Sequence, residues 1–188
     1  MILTRIIKRL VPDKHGRRLA QLGKIPQGRQ VAEAGLVFHE ACVECAAEFV
    51  KHQLRSAESP FKEVPRERLF HEIMTVNFWA LEKLYTRKRP LLMQQVYEAY
   101  RRTFDVPVNG GGVAGMLAGR FAEYTSTWND ETGHQNAFGE KVAEHMFAPG
   151  QPFSRPQASF WIITHAHDVM DEFKDLRYIC RRKKLELS

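Results

Sequence analysis

Apolar and polar positions recur along this chain with a period near that of an α-helix, and one stretch is apolar around most of its circumference. Leu69–Tyr85, LFHEIMTVNFWALEKLY, placed at about 100° per residue, gathers Phe70, Ile73, Met74, Val76, Phe78, Ala80, Leu81, Leu84 and Tyr85 into a sector of roughly 200°. The remaining arc carries His71, Glu72, Thr75, Glu82 and Lys83. A surface helix needs about half that apolar width, so other helices must cover this one. Asn77 falls inside the sector, where a buried amide requires partners and would pin helix register.

Five further stretches carry an apolar face at helical spacing. Gln30–Ser56 presents Phe38, Cys42, Ala46, Phe49 and Val50 opposite the acidic stripe Glu33, Glu40, Glu44 and Glu48. Pro90 opens a helix to Phe104, and Val113–Trp128 sets Val113, Leu117, Phe121, Tyr124 and Trp128 on one side. Beside them Gly115, Ala118, Ala122 and Ser126 form a small-residue stripe, which reads as a place for a crossing helix. A shorter helix ends near Phe147, and the last, Gln157–Lys184, is built on Ile162, Val169, Phe173, Leu176 and Cys180. The pattern predicts an all-α protein of about six helices, packed as an irregular bundle around residues 69–85.

The N-terminus adds a peripheral element. Met1–Leu10 places Ile2, Leu3, Ile6, Ile7 and Leu10 near one face and Arg5, Lys8 and Arg9 towards the other. Residues 12–30, with Pro12, Gly16, Gly23, Pro26 and Gly28, read as a basic linker. The expected division is a basic amphipathic segment and linker at 1–29 and a helical domain at 30–188, whose core closes without residues 1–24.

The net charge of +6 changes meaning once divided along the chain. Residues 1–30 hold eight Lys/Arg against Asp13 alone, a balance of +7, and the other 158 residues hold 20 basic against 21 acidic, a balance of −1. A second basic knot, Arg177, Arg181, Arg182, Lys183 and Lys184, follows near residue 188. An anionic partner is therefore expected to meet the ends, not the body. No apolar run reaches the roughly 18 residues of a spanning helix. Without a signal-peptide pattern the sequence reads as intracellular and cytoplasmic, with a peripheral membrane location as the alternative, and its three cysteines as reduced thiols.

Candidate chemistry is sparse. His39, Cys42 and Cys45 stand three residues apart on one helix, and two thiolates with an imidazole could ligate a soft metal. Zinc-binding C-x-x-C pairs usually sit in tight turns, and no second ligand pair appears, so burial of small cysteines beside a hydrogen-bonded histidine is the expected arrangement. His39, Asn77 and His165 are expected to be buried polar groups. His165-Ala-His167-Asp168 contains a His-Asp doublet of the kind used by helical metallophosphohydrolases, but it comes too late in the sequence for the remaining ligands to follow. Glu-x-x-His, the signature of di-iron bundles, is absent, and Asp105–Gly112 (DVPVNGGG) lacks both phosphate-loop spacings. The basic start, with Gly119-Arg120 four residues before Tyr124, resembles bacterial respiratory-complex assembly chaperones in a few common residues, and so short a match assigns no family.

No motif names a reaction, a catalytic residue or a cofactor, and no cofactor is expected. The sequence reads as a non-enzymatic helical protein that binds another macromolecule. The contact would be an acidic protein or an anionic membrane surface, met by residues 1–24 and in particular Ile2, Leu3, Arg5, Ile6, Lys8 and Arg9. Nucleic acid ranks last, because no polar reading helix accompanies the basic ends. The alternative is a bundle that binds a metal or small ligand, and is catalytic in one version, near His39, Cys42, Cys45 and His165.

Overall fold

The computed structural model describes residues 13–85, 89–105, 112–131, 133–185 and 187. These form an all-α bundle with no strand among them: α1 (Lys14–Leu22), α2 (Gln27–Arg55), α3 (Arg66–Tyr85), α4 (Pro90–Phe104), α5 (Gly112–Thr127), α6 (Asn136–Met146) and α7 (Arg155–Arg182). No helix of the described residues is long and apolar enough to cross a membrane. The contacts fall into two compact units, one drawn from Met1–Ala41, Leu81–Val108 and Met170–Ser188, the other from Cys42–Ala80 and Asn109–Val169.

The central helix is more deeply covered than its pattern implies. From Glu72 to Leu81 ten consecutive residues are buried, Thr75 and Trp79 included. The polar arc read from the sequence is thus not a solvent face at Glu72 and Thr75. Thr75 turns its hydroxyl back to the His71 carbonyl at 2.9 Å, and the Glu72 carboxylate accepts from the Tyr124 hydroxyl of α5. Hydrogen-bonded in this way, both tolerate loss of water.

In the second unit the core is aromatic. Trp79 stacks on Phe138 at 4.7 Å and meets Trp128 at 5.1 Å, while its indole N–H donates to Thr125 Oγ1 at 3.1 Å. Such pairs exceed their area burial by about 1 kcal/mol each. Gly139 brings α6 onto α7: a Cβ there would stand 2.7 Å from Ser159 Cα and 2.8 Å from its carbonyl oxygen. The small-residue stripe of α5 behaves differently. A Cβ at Gly115 or Gly119 would meet nothing within 4 Å, so among the described residues no helix packs closely on the stripe at these two positions.

In the first unit Phe38 of α2 packs edge-on against Tyr85 at 5.2 Å and Phe173 at 6.3 Å. Gly35 admits α4, with Gln95 Cβ only 2.4 Å from where a Cβ would lie. The region read as a linker is helical instead. Asp13 caps α1 by accepting from the Gly16 N–H at 2.8 Å, and Leu19 and Leu22, three apart, are buried. Pro12, Gly16 and Gly23 hid this helix in the sequence, although they flank it or sit in its first turn, where helices tolerate them. Leu19 is fully buried, so Leu19→Ala is expected to cost about 2–4 kcal/mol in urea unfolding. A loss below about 1 kcal/mol would show that α1 merely rests on the unit.

Candidate functional site

Two regions concentrate chemistry, and each lies within one unit. In the first unit the basic ends of the sequence meet. Helix α7 stops with Leu185 N–H bonded to the Cys180 carbonyl at 3.0 Å and Lys184 N–H to the Arg181 carbonyl at 3.1 Å, with Lys184 left-handed at φ 53°. This paired closure turns the chain back so that Leu185 and Leu187 are buried. The turn leaves Arg181, Arg182, Lys183 and Lys184 exposed, and it sets the Lys183 carbonyl 3.8 Å from where a Cβ of Gly23 would lie. Lys24, exposed, follows directly, as does exposed Arg29 at the start of α2. Of the N-terminal cations, Arg18 is engaged with the Glu40 carboxylate. Segments separated by some 160 residues of sequence, one leading into Lys24 and the other holding Lys183, therefore approach each other.

In the second unit a cavity of about 490 Å³ opens between α3, α5, α6 and the loop before α7. Arg68, Arg120 and Arg155 line it, together with His145 and the carboxylate Glu144. Arg68 donates to the carbonyls of His145 at 3.1 Å and Phe147 at 3.0 Å, so it holds the end of α6 in place. Glu144 is shared by Lys141 at 2.7 Å and Arg155 at 3.1 Å. Behind the wall, Arg120 Nη2 approaches Glu72 Oε2 at 3.7 Å, and His145 Nε2 lies 2.6 Å from Glu123. Burial raises the Glu72 carboxyl above its ordinary range, against the opposing pull of Tyr124 and Arg120. Burial and the Glu72 charge likewise push the Tyr124 phenol up. Arg120 Nη1 is buried without a hydrogen-bond partner.

The basic ends are legible in the sequence as charge, but the cavity of the second unit is not. Glu72 falls on the polar arc of the central helix, and Arg120 and Glu123, the two charged residues of α5, form no recognisable motif.

The residues singled out from the sequence are dispersed. His39 is buried, its ring 6.4 Å from Tyr100 and 6.3 Å from Phe104, and its Nε2 has no partner. Burial lowers its pKa, with the Glu40 charge opposing. Cys42 is a buried free thiol whose pKa burial drives well above the ordinary value, and Cys45 is half-buried. Among the described residues no three His, Cys, Asp or Glu side chains are placed to hold a metal ion, so the His39, Cys42 and Cys45 set is not a ready-made site. The successive turns of a straight helix carry these side chains along its length instead of converging them as a tight turn would.

His165 and Asn77 do come together. Asn77 donates to the Cys42 carbonyl at 2.8 Å and accepts from His165 Nε2 at 2.8 Å, joining α2, α3 and α7 through one amide. Because the acceptor is an amide oxygen, Nε2 carries the proton in the neutral ring, and burial holds the His165 pKa down at about 3. His167 is exposed beside Trp128 at 5.1 Å. Ile2, Leu3, Arg5, Ile6, Lys8 and Arg9 lie outside the described residues. In comparisons with known protein families, curated proteins and solved structures, the chain matches none.

Proposed function

We propose that this is a non-enzymatic helical protein that binds an anionic macromolecular surface, foremost a negatively charged membrane leaflet, through the basic face of its first unit. The observation that carries the reading is the approach of Gly23 to Lys183, which merges the two basic ends of the sequence. Exposed lysines and arginines each gain about 1 kcal/mol at an anionic leaflet, and clustering makes those gains act together. Met1–Leu10 supplies, in sequence, the apolar side chains that would add burial to that attraction. A peripheral location at a membrane follows from the same reading.

The experiment is flotation with vesicles of phosphatidylcholine, with and without phosphatidylserine. The full-length chain should float with the mixed vesicles at low salt, dissociate as salt rises towards about 0.5 M, and ignore pure phosphatidylcholine, since screening shortens the reach of exposed charges to a few ångströms. Equal flotation on both compositions, or none on either, would refute the membrane form of the proposal.

A further inference from the structure

We propose that the cavity of the second unit is a binding site for the phosphate group of a small organic ester, with Arg68, Arg120 and Arg155 as its anion ligands. This site is independent of the basic face, which belongs to the other unit.

Three guanidinium groups from three different helices, α3, α5 and α7, line one cavity, and Glu144 is the carboxylate among them. Glu144 is itself held by Lys141 and Arg155, so the wall retains positive charge. Two more carboxylates pair with residues of this lining or their neighbours: Glu72, buried, with the Tyr124 hydroxyl and Arg120, and Glu123, exposed, with His145. A guanidinium carries five N–H donors in a planar fork that matches phosphate oxygens, and Arg68 donates to two carbonyls, which carry no charge of their own.

Arg120 also lines this cavity, and its Nη1 is out of water with no hydrogen-bond partner. Proteins seldom leave a charged donor in that condition, and an oxygen entering the cavity supplies the missing acceptor after a rotation of the guanidinium. A volume of about 490 Å³ falls within the range of small-molecule pockets and exceeds what a bare ion fills. Phe147 and Phe153, stacked at 4.1 Å, provide an apolar wall beside the arginines for the organic part of the ester.

Inorganic phosphate and phenyl phosphate, titrated calorimetrically into the full chain at constant ionic strength maintained with chloride, test the site. Both should bind saturably, and the ester more tightly because of the Phe147–Phe153 wall. Arg155→Gln, an exposed position, should weaken both at least threefold, and Arg120→Gln at least tenfold. Arg102→Gln, an exposed cation of the other unit, should leave both unchanged. If Arg120→Gln fails to fold, Arg155→Gln alone decides. Heat effects no larger than those of chloride, or unaltered binding in Arg155→Gln and Arg120→Gln, would overturn the proposal.

Discussion

Gly139→Ala should destabilise the protein by about 2–3 kcal/mol, while the same substitution at Gly119 should stabilise it by about 0.5–1 kcal/mol. Both glycines lie inside helices, and both would gain the roughly 1 kcal/mol by which alanine exceeds glycine in helix propensity. Surroundings decide the sign. At position 139 the new methyl carbon would lie 2.2 Å from Ser159 Oγ and 2.7 Å from Ser159 Cα. The hydroxyl can rotate away, but the backbone of α7 cannot, so the two helices must separate and the Trp79–Phe138 stack must loosen with them. At position 119 nothing lies within 4 Å, and only the propensity gain remains. Urea unfolding of the two variants beside the parent checks the pair; two shifts of the same sign would contradict this packing.

Acid should weaken the fold through His165. An imidazole whose folded pKa lies below its unfolded value favours the neutral ring, so its contribution is complete above about pH 6.5 and is lost as pH falls towards about 3. Within that window the loss approaches about 1.4 kcal/mol per pH unit, or roughly 2–3 kcal/mol between pH 6.5 and 4.5. Protonation would put a second donor and a full charge among Phe49, at 4.9 Å, and the Asn77 amide. His39, also lowered, acts in the same direction, whereas the raised Glu72 carboxyl acts oppositely. Unfolding measured across that range in the parent and in His165→Gln, whose amide can still donate to Asn77, isolates the histidine: the parent should lose more stability on acidification. Parallel curves would mean that His165 is not held neutral by burial.

How far the sequence reaches is visible in particular residues. Period-3.6 apolar stripes located α2 to α7, because each helix buries one face and the stripe is that face written in order. Asn77 and His165 fell on such stripes, so their burial could be read; that they meet each other could not, since their partnership spans 88 residues. Glu72 misled for the same reason. A carboxylate on a polar arc reads as solvated until Tyr124 and Arg120 arrive from another helix. Helix α1 was masked by its own punctuation, with Gly16 inside and Gly23 after it, and two apolar residues, Leu19 and Leu22, are too few to set a period. The glycines make the plainest case: Gly35 and Gly139 are contacts and Gly115 and Gly119 are not, and nothing local distinguishes them.

In the proposed membrane contact two distant basic segments act as one face. Equilibrium binding to phosphatidylserine-containing vesicles, measured against salt for the parent, for Lys24→Gln and for Lys183→Gln/Lys184→Gln, tests it directly. At about 1 kcal/mol per lysine, affinity should fall about fivefold for Lys24→Gln and about thirtyfold for the paired variant, with a shallower salt dependence in each. Binding that neither variant weakens, or that persists undiminished at high salt, would contradict it.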